Sequence, residues 1–570
     1  MDRETRRIID DYRLDQAGEL ENALIDDFLT GEYSRGDFVR RASVLGLSVG
    51  AIGSVLGAMG YAPQALAAPS VGAVKVGGRL KLGIVPGPAK PMEPNLFADH
   101  GTLATGSICG EFLNQTNPDL SLSPQLALRW SSNAKGTVWT YTLRRGVKFA
   151  NGKAMTAADV VATFKTLTDP NGGGAALSAF KGVLSPAGIK AVGDYTVVFT
   201  LDSPSASFPY LTSNTTYQAI ILPADYQEDT FTKTPQTTGG FNMVSYTPGV
   251  GAKFDRNPNW WGGKTPLDGV DVTYYTDEPA AIAAVLGNQI DLMSQTSFSA
   301  GRAAFSSPRL KILSVRGAPH REISMLTRTA AAIKPFTDAR VRQALALTLD
   351  RPAIIKQLFN GLADLGNDSP FAPVYPSTDR SVPQRTQNLA LAKRLLAQAG
   401  YPNGFDVTMT IPRYQEIPQL AQILVASAKK IGIDIKLNVV TYTAYYAGTY
   451  SGGKTGRGTT PWLNTPLNIT DYGHRGVPNV FLTSAFKTGG VWSSSDYSNK
   501  KFDKTVDLYT AAPTLAQQRK YAGIAQRILL EDTPVILPFF FRWTQAASKR
   551  VNGFVPAAIG TQYLSKTWLA

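Results

Sequence analysis

Cysteine is nearly absent: Cys109 is the only one in 570 residues. No intrachain disulfide can form, and no Cys-x-x-Cys or Cys/His zinc site can be built. Histidine is scarce as well. His100, His320 and His474 stand far apart, so no His-rich cluster is in sight, and neither a metal nor a cofactor is expected. Long blocks of one charge are missing. Lys and Arg are scattered singly and in pairs, no run of five or more like charges occurs, and no nucleic-acid motif is present. That pattern speaks against nucleic acid as a partner. A credible nucleophile motif is lacking too. GLSVG at 46–50 has the G-x-S-x-G spacing of serine hydrolases, yet it lies inside an apolar run with no strand–turn–helix context. The expectation is a protein that is not an enzyme.

What is present describes a large globular chain. Its length calls for two or three lobes. Hydrophobic residues make up 43% and charged residues 18%, enough for a sizeable core. Aromatics make up 10%, with eight tryptophans, which suits stacking surfaces as well as large cores. The formal charge of +14 is uneven: residues 1–67 hold seven Lys/Arg and eleven Asp/Glu, so the remainder carries +18. Such a bias favours anionic ligands, lipid surfaces or acidic partners.

Residues 45–67, LGLSVGAIGSVLGAMGYAPQALA, form an apolar Gly/Ala-rich run preceded by Arg35, Arg40 and Arg41 and closed by Ala65-Leu66-Ala67. Basic flank, apolar core and small-x-small end make an export signal, with cleavage expected after Ala67. The alternative is an uncleaved anchor, since the run nears bilayer length and Gly53 and Gly57 have helix-packing spacing. SRGDFVRRA resembles a twin-arginine signal, with Gly36 where the second arginine belongs. No cysteine ends the signal, so a lipoprotein is not expected, and the Gram-negative periplasm is the expected location. Residues 1–33 are acidic and helix-patterned through Leu20, Leu24 and Phe28, with no function assigned.

The stretch TLRRGVKFANGKAMTAADVVATF, 142–164, tests the charge reading. It follows an alternating run, VWTYTLR at 138–144, that predicts a half-buried strand with Trp139, Tyr141 and Leu143 on one side. Asn151-Gly152 predicts a turn. Thr156 and Asp159 predict a capping box, Val160, Val161, Phe164 and Leu167 a helix, and Asp169-Pro170 its end. A phosphate loop needs Gly-rich backbone at the helix start, and Asp159 there repels phosphate. The basic residues are therefore structural. Further on, Thr337 and Asp350 are expected to cap two successive helices, and Gly400 to end a third before the strand-like FDVTMTI. Helices alternating with strands imply α/β lobes.

SPQLALRW (123–130) followed by VWTYTLRRGVKFANGKAMTAADV (138–160) resembles the hallmark region of the extracellular solute-binding proteins of family 5. These are peptide, nickel and oligosaccharide receptors of ABC importers. Ala150-Asn151 replaces the family's usual His-Asp before the turn glycine. The resemblance continues through GGFNMVSYTPG (239–249), FDRNPNWWGG (254–263), AAVLGNQIDLM (283–293), PFTDARVRQALALTLDRPAII (335–355), AKRLLAQAGYPNGF (392–405) and AKKIGIDIKL (428–437). It implies a type II periplasmic-binding clamshell with an extra subdomain in lobe I. The expected division is 1–67 extension and signal, 68–117 lobe I, 118–232 the extra subdomain, 233–315 lobe I, 316–533 lobe II and 534–570 a return to lobe I. Crossings fall near 313–325 and 532–545, and YSGGKTGRGTT (450–460) reads as an exposed loop.

In peptide-binding members, an arginine after the strand that follows the Ala-Gly turn takes a carboxylate, and an aspartate in a Trp-x-x-Asp pattern takes an ammonium. Arg413 stands at about the arginine position. Trp462 lacks the aspartate three residues on; the next is Asp471, in NITDYGHRGVPN. Either an insertion lets Asp471 serve, or the ammonium site is absent. His474 and Arg475 join Asp471 as candidates, and Trp462 and Trp492 either stack on the ligand or fill the core. His100 is a candidate from lobe I. Phe539, Phe540, Phe541 and Trp543 read as hinge and core. The expected ligand is a small, carboxylate-bearing organic solute: a peptide, an amino-acid conjugate or an opine-like compound. The expected partner is an ABC permease and the expected state a monomer. An oligosaccharide, a chelated metal and a membrane-anchored sensor are the alternatives.

Overall fold

The computed structural model describes residues 19–47, 49–59, 74–234, 236–328, 331–449 and 458–570, with a few isolated residues before 74. Residues 62–67, with the expected cleavage point, and 450–457 of the expected loop lie outside the described residues.

Two mixed sheets organise the chain. The first runs, in spatial order, Leu310–Val315, Trp543–Ser548, Leu292–Met293, Arg79–Ile84, Gly269–Tyr274, Gly251–Arg256 and Phe241–Thr247. The second runs Ala363–Leu365, Phe539–Phe541, His320–Met325, Leu467–Tyr472, Phe405–Pro412 and Ile433–Val440, with Val535–Ile536 beside His320–Met325. Arg79–Ile84 pairs parallel with both neighbours, and Phe405–Pro412 is parallel to Ile433–Val440, joined by the Ile417–Lys429 helix. Antiparallel strands sit alongside, so each lobe is a mixed α/β layer.

The chain passes between the sheets twice. It leaves the first after Val315 and enters the second at His320; it leaves the second after Phe541 and re-enters the first at Trp543, with Arg542 alone between them. Phe539, Phe540 and Phe541 are all buried, which anchors the second crossing in apolar contacts. Two short crossings of this kind restrict the lobes to hinge-like motion.

A four-stranded sheet, Ala127–Ser132, Val138–Leu143, Thr196–Thr200 and Ile189–Ala191, is carried by the first lobe. Here the period-two pattern is realised: Trp139, Tyr141 and Leu143 are buried while their neighbours are partly exposed. Gly152 takes φ +85°, which the tight turn requires. The Ala157–Thr168 helix opens on the Thr156–Asp159 capping box and ends at Asp169. One cap differs from expectation. Asp338, not Thr337, caps the Ala339–Ala346 helix, its carboxylate accepting from Arg340 N at 2.8 Å. Thr337 ends the preceding 3-10 turn, its hydroxyl donating to Lys334 O. Asp350 caps the next helix as expected.

Three short helices, Glu19–Leu29, Arg35–Leu45 and Val49–Ala58, precede the first sheet, and the first two pair through stacked Phe28 and Phe38 rings 4.2 Å apart. Among the described residues no helix is long and apolar enough to cross a membrane.

Candidate functional site

The seam between the lobes starts from a fully buried arginine. Arg321, on the strand His320–Met325, is 0% exposed. Its Nε lies 2.8 Å from Glu416 Oε1, its Nη1 donates to Asp471 Oδ1, and its Nη2 donates to Gln415 Oε1 at 2.6 Å. The guanidinium also stands 4.4 Å from the centre of the Phe541 ring. The second sheet's order explains the meeting. Asp471 is the register partner of Arg321 on the adjacent strand, and Gln415 and Glu416 follow the end of the strand Phe405–Pro412. Burial alone would lower the Arg321 pKa; the charges of Asp471 and Glu416 outweigh it and raise it. Burial raises both carboxyls, and Arg321 opposes that rise. With both acids ionised, the triad carries one net negative charge. Asp471 is its more open member, with 18% of its side chain exposed against 3% for Glu416.

Aromatic groups continue this wall. Tyr414 and Tyr442 stand 4.7 Å apart, and Tyr446 lies 4.9 Å beyond Tyr442. The pKa of the Tyr442 hydroxyl is raised, first by burial, then by neighbours that include Asp99 of the first lobe. Glu278 of the first lobe has its carboxyl raised, first by burial and in smaller part by the charge of Glu416 of the second. The two lobes thus face each other across one electrostatic environment. A small recess of about 10 Å³, the room of about one water, opens between them, lined by Gln295, Ser297, Gln415, Glu416, Phe541 and Arg542 among others.

The loop after Asp471 closes the seam. Arg475 Nη1 donates to Tyr217 OH of the first lobe at 3.1 Å, and its guanidinium stands 4.9 Å from the Tyr217 ring and 5.5 Å from the Trp492 ring. Tyr375 OH donates to Arg475 O at 2.6 Å, holding the loop from beneath. Gly476 presses on Tyr210; a Cβ there would lie 2.4 Å from the ring. His474 is buried, its Nδ1 accepting from Ala318 N at 3.0 Å on the first crossing. His100 stays in the first lobe, with Nε2 3.0 Å from Ser294 Oγ and its ring edge-on to Trp543 at 4.7 Å. Burial pulls both imidazoles down to about 3, so they are neutral at physiological pH.

The seven residues expected at the site therefore divide. Arg475 and Trp492 stand together where the loop meets Tyr217 of the first lobe, and Asp471 pairs with Arg321 on the neighbouring strand. His474 and His100 lie behind the seam, near the two crossings. Trp462 is in the second lobe's core at 2% exposure, against Tyr446 and Tyr472. Arg413 is exposed at the strand end, its backbone N donating to Val440 O, and among the described residues its side chain meets no partner. Sequence reasoning missed Arg321, Glu416, Tyr414, Tyr442 and Tyr217. The available signal was His320-Arg321-Glu322, three polar residues inside a strand otherwise bounded by apolar positions.

Glu322 carries a pH consequence. It is buried, accepts from Ser324 Oγ at 3.0 Å and Ser494 Oγ at 3.2 Å, and burial raises its pKa to about 7 from an ordinary 4.5. Between those values the folded chain holds a proton that the unfolded chain releases, so rising pH favours unfolding. Glu322→Gln, which keeps the neutral shape, is expected to gain on the parent as pH rises from about 4.5 to 7, by on the order of 3 kcal/mol. Urea melts of both chains at pH 5 and pH 8 check this; an unchanged difference contradicts it.

Residues 121–474 match the family model of bacterial extracellular solute-binding proteins, family 5 Middle. The chain belongs to this family. Heme-binding protein A of Haemophilus influenzae is 27% identical over 469 residues, covering 77% of this chain and 82% of that protein. Oligopeptide-binding protein AppA of Bacillus subtilis is 25% identical over 538 residues, covering 88% and 93%. Among solved structures, the ABC transporter-associated periplasmic binding protein DppA from Helicobacter pylori, in complex with peptide STSA, aligns with TM-score 0.74. It is 23% identical, over 87% of this chain and 98% of that one. MoaA of A. tumefaciens R10, in complex with mannopinic acid, aligns with TM-score 0.73 at 22% identity, over 87% and 99%. The fold of this family 5 chain is accordingly the two-lobed clamshell of periplasmic binding proteins.

Proposed function

We propose that this chain is the capture component of an ABC importer, working in the periplasm and delivering a small organic solute to the permease without altering it. The solute carries both an ammonium and a carboxylate: a peptide, an amino-acid conjugate or an opine-like compound. The observation that carries this reading is the placing of Asp471 near the end of the strand Leu467–Tyr472 and of Arg475 on the loop that follows it, against Tyr217 of the first lobe. Asp471 belongs to a triad of two carboxyls and one guanidinium and has its side chain partly open, which suits an ammonium. Arg475 is held by aromatic faces from both lobes, and its guanidinium suits a carboxylate through charge-assisted bonds. Tyr414, Tyr442 and Tyr446 supply apolar walls between these ends, with hydroxyls for orientation. The names of several relatives point the same way: oligopeptide-binding, dipeptide-binding and glutathione-binding proteins stand beside the heme-binding one. Trp462 lies in the core, so the stacking surface that an oligosaccharide needs falls to tyrosines.

Closure follows from the same geometry. A solute that bridges Asp471 and the first lobe's groups favours the closed arrangement only by binding it better than the open one. Arg475 already reaches Tyr217 across the seam and is the residue best placed to report that preference. Replacing it with glutamine is expected to weaken solute binding roughly tenfold or more, the scale of one charge-assisted hydrogen bond. A thermal-shift screen of peptides, opines and oligosaccharides identifies a solute, and titration calorimetry on both chains measures the change. Equal affinities would falsify the assignment of Arg475 to the carboxylate.

A further inference from the structure

The pair Arg40-Arg41 stands out of register with an export motif, and the structure places it elsewhere. Both lie on the helix Arg35–Leu45, whose Phe38 and Ala42 are fully buried. Arg40 Nε donates to Asp119 O of the first lobe at 2.5 Å, and its Nη1 to Val374 O of the second at 3.1 Å. Arg41 repeats the arrangement, with Nη1 donating to Ala206 O of the first lobe at 3.4 Å and Nη2 to Pro513 O of the second at 3.0 Å. Each guanidinium therefore holds one main-chain carbonyl from either lobe.

The rest of the segment is fitted to both sides. On the first lobe, Leu122 N donates to Ser43 Oγ and Trp130 Nε1 to Val44 O, each at 2.8 Å. Gly46, at φ +92°, ends the helix so close to Trp130 that a Cβ would lie 1.9 Å from its carbonyl oxygen. On the second lobe, Leu515 N donates to Tyr33 OH at 3.2 Å, and Asp37 stands 3.8 Å from Arg519. Rotation of one lobe about the two crossings alters the spacing of Asp119 from Val374 and of Ala206 from Pro513. Neither arginine can follow both of its carbonyls, so lobe motion breaks half of each set of bonds.

We propose that residues 33–46 form a strap that fastens the two lobes to each other in the chain that retains them, and that its removal frees the hinge. The surface it covers is an inter-lobe groove whose fitted occupant is this chain's own N-terminal segment. The proposal rests on the two-lobed receptor reading only in treating lobe motion as functional; the bonds themselves stand without it.

The test measures inter-lobe distance directly. Spin labels go on the full chain at Lys190→Cys and Lys436→Cys, exposed positions on the two lobes, with native Cys109 buried and unreactive. A protease site is placed in the link 62–73. The intact chain is expected to give one narrow distribution. Cutting and removing the segment is expected to broaden it or shift its mean by more than about 2 Å, the scale of domain rearrangement. R40A/R41A in the uncut chain is expected to do the same, with circular dichroism showing that it stays folded. Distributions unchanged by the cut overturn the strap, whatever the double variant does. The readout needs no solute, so a strap effect without any solute binding would leave the strap standing and remove the receptor reading.

Discussion

Asp368→Ala is expected to cost about 3–5 kcal/mol of stability, the range for breaking a buried ion pair from one side. Asp368 is fully buried and accepts from Arg351 Nη2 at 2.9 and 3.0 Å, from Arg385 Nη1 at 2.6 Å and from Leu537 N at 3.0 Å. Arg351 is itself 1% exposed. Removing the carboxylate strands two guanidiniums in a low-dielectric interior and leaves a backbone N–H without its acceptor. Desolvation, not the lost attraction alone, sets the size of the loss. The consequence reaches the hinge, because Leu537 leads directly into Phe539–Phe541 and the second crossing. Loss of stability should therefore come with looser coupling between the lobes. Urea unfolding of the two chains checks the first part; a difference below about 1 kcal/mol, the scale of an exposed pair, contradicts it.

Arg321→Met is expected to cost a similar amount, about 3–5 kcal/mol, with a different remedy. Here the stranded groups are the carboxyls of Glu416 and Asp471, which burial already raises. Without Arg321 the attraction that opposes this rise is lost, and both carboxyls are pushed further up. The triple variant Arg321→Met/Glu416→Gln/Asp471→Asn removes the stranded charge and should recover most of the loss, while solute binding through Asp471 stays impaired. Recovery of stability without recovery of binding separates the cluster's structural part from its part in binding. If the single variant melts with the parent, the charge pairing is not what holds this wall.

The fold was largely legible because its signals are local. Trp139, Tyr141 and Leu143 announce a strand by alternation, and Thr156 with Asp159 announces a helix start by spacing; both depend on neighbours within a few residues. Asp338 shows the limit: Thr337 and Asp338 are both good caps, and only the path of the preceding turn decides between them. The site was less legible because it is assembled by sheet order. Arg321 meets Asp471 through strand register, 150 positions apart, and nothing near either residue in sequence advertises the other. Arg413 and Tyr414 differ for a similarly small reason. The backbone turns at Gln415, with φ +44°, so Arg413 remains outside while Tyr414 and Glu416 face inward. The DYGHR run crowds polar and aromatic groups into five residues; its Asp471 meets Arg321 and its Arg475 meets Tyr217.

The N-terminal segment is the clearest case of a sequence feature whose setting was hidden. Leu20, Leu24 and Phe28 have the spacing of a buried helix face, but the ring that Phe28 stacks on, Phe38, lies on the next helix, and that helix meets carbonyls of both lobes through Arg40 and Arg41.

The most direct test of the central claim is native mass spectrometry of the chain after incubation with a mixed library of peptides, opines, oligosaccharides and metal chelates, followed by denaturing release. The expected result is one retained solute per chain, bearing an amine and a carboxylate and released chemically intact. Retention of no member of the library, or release of a cleaved or altered one, would contradict capture without transformation between the lobes.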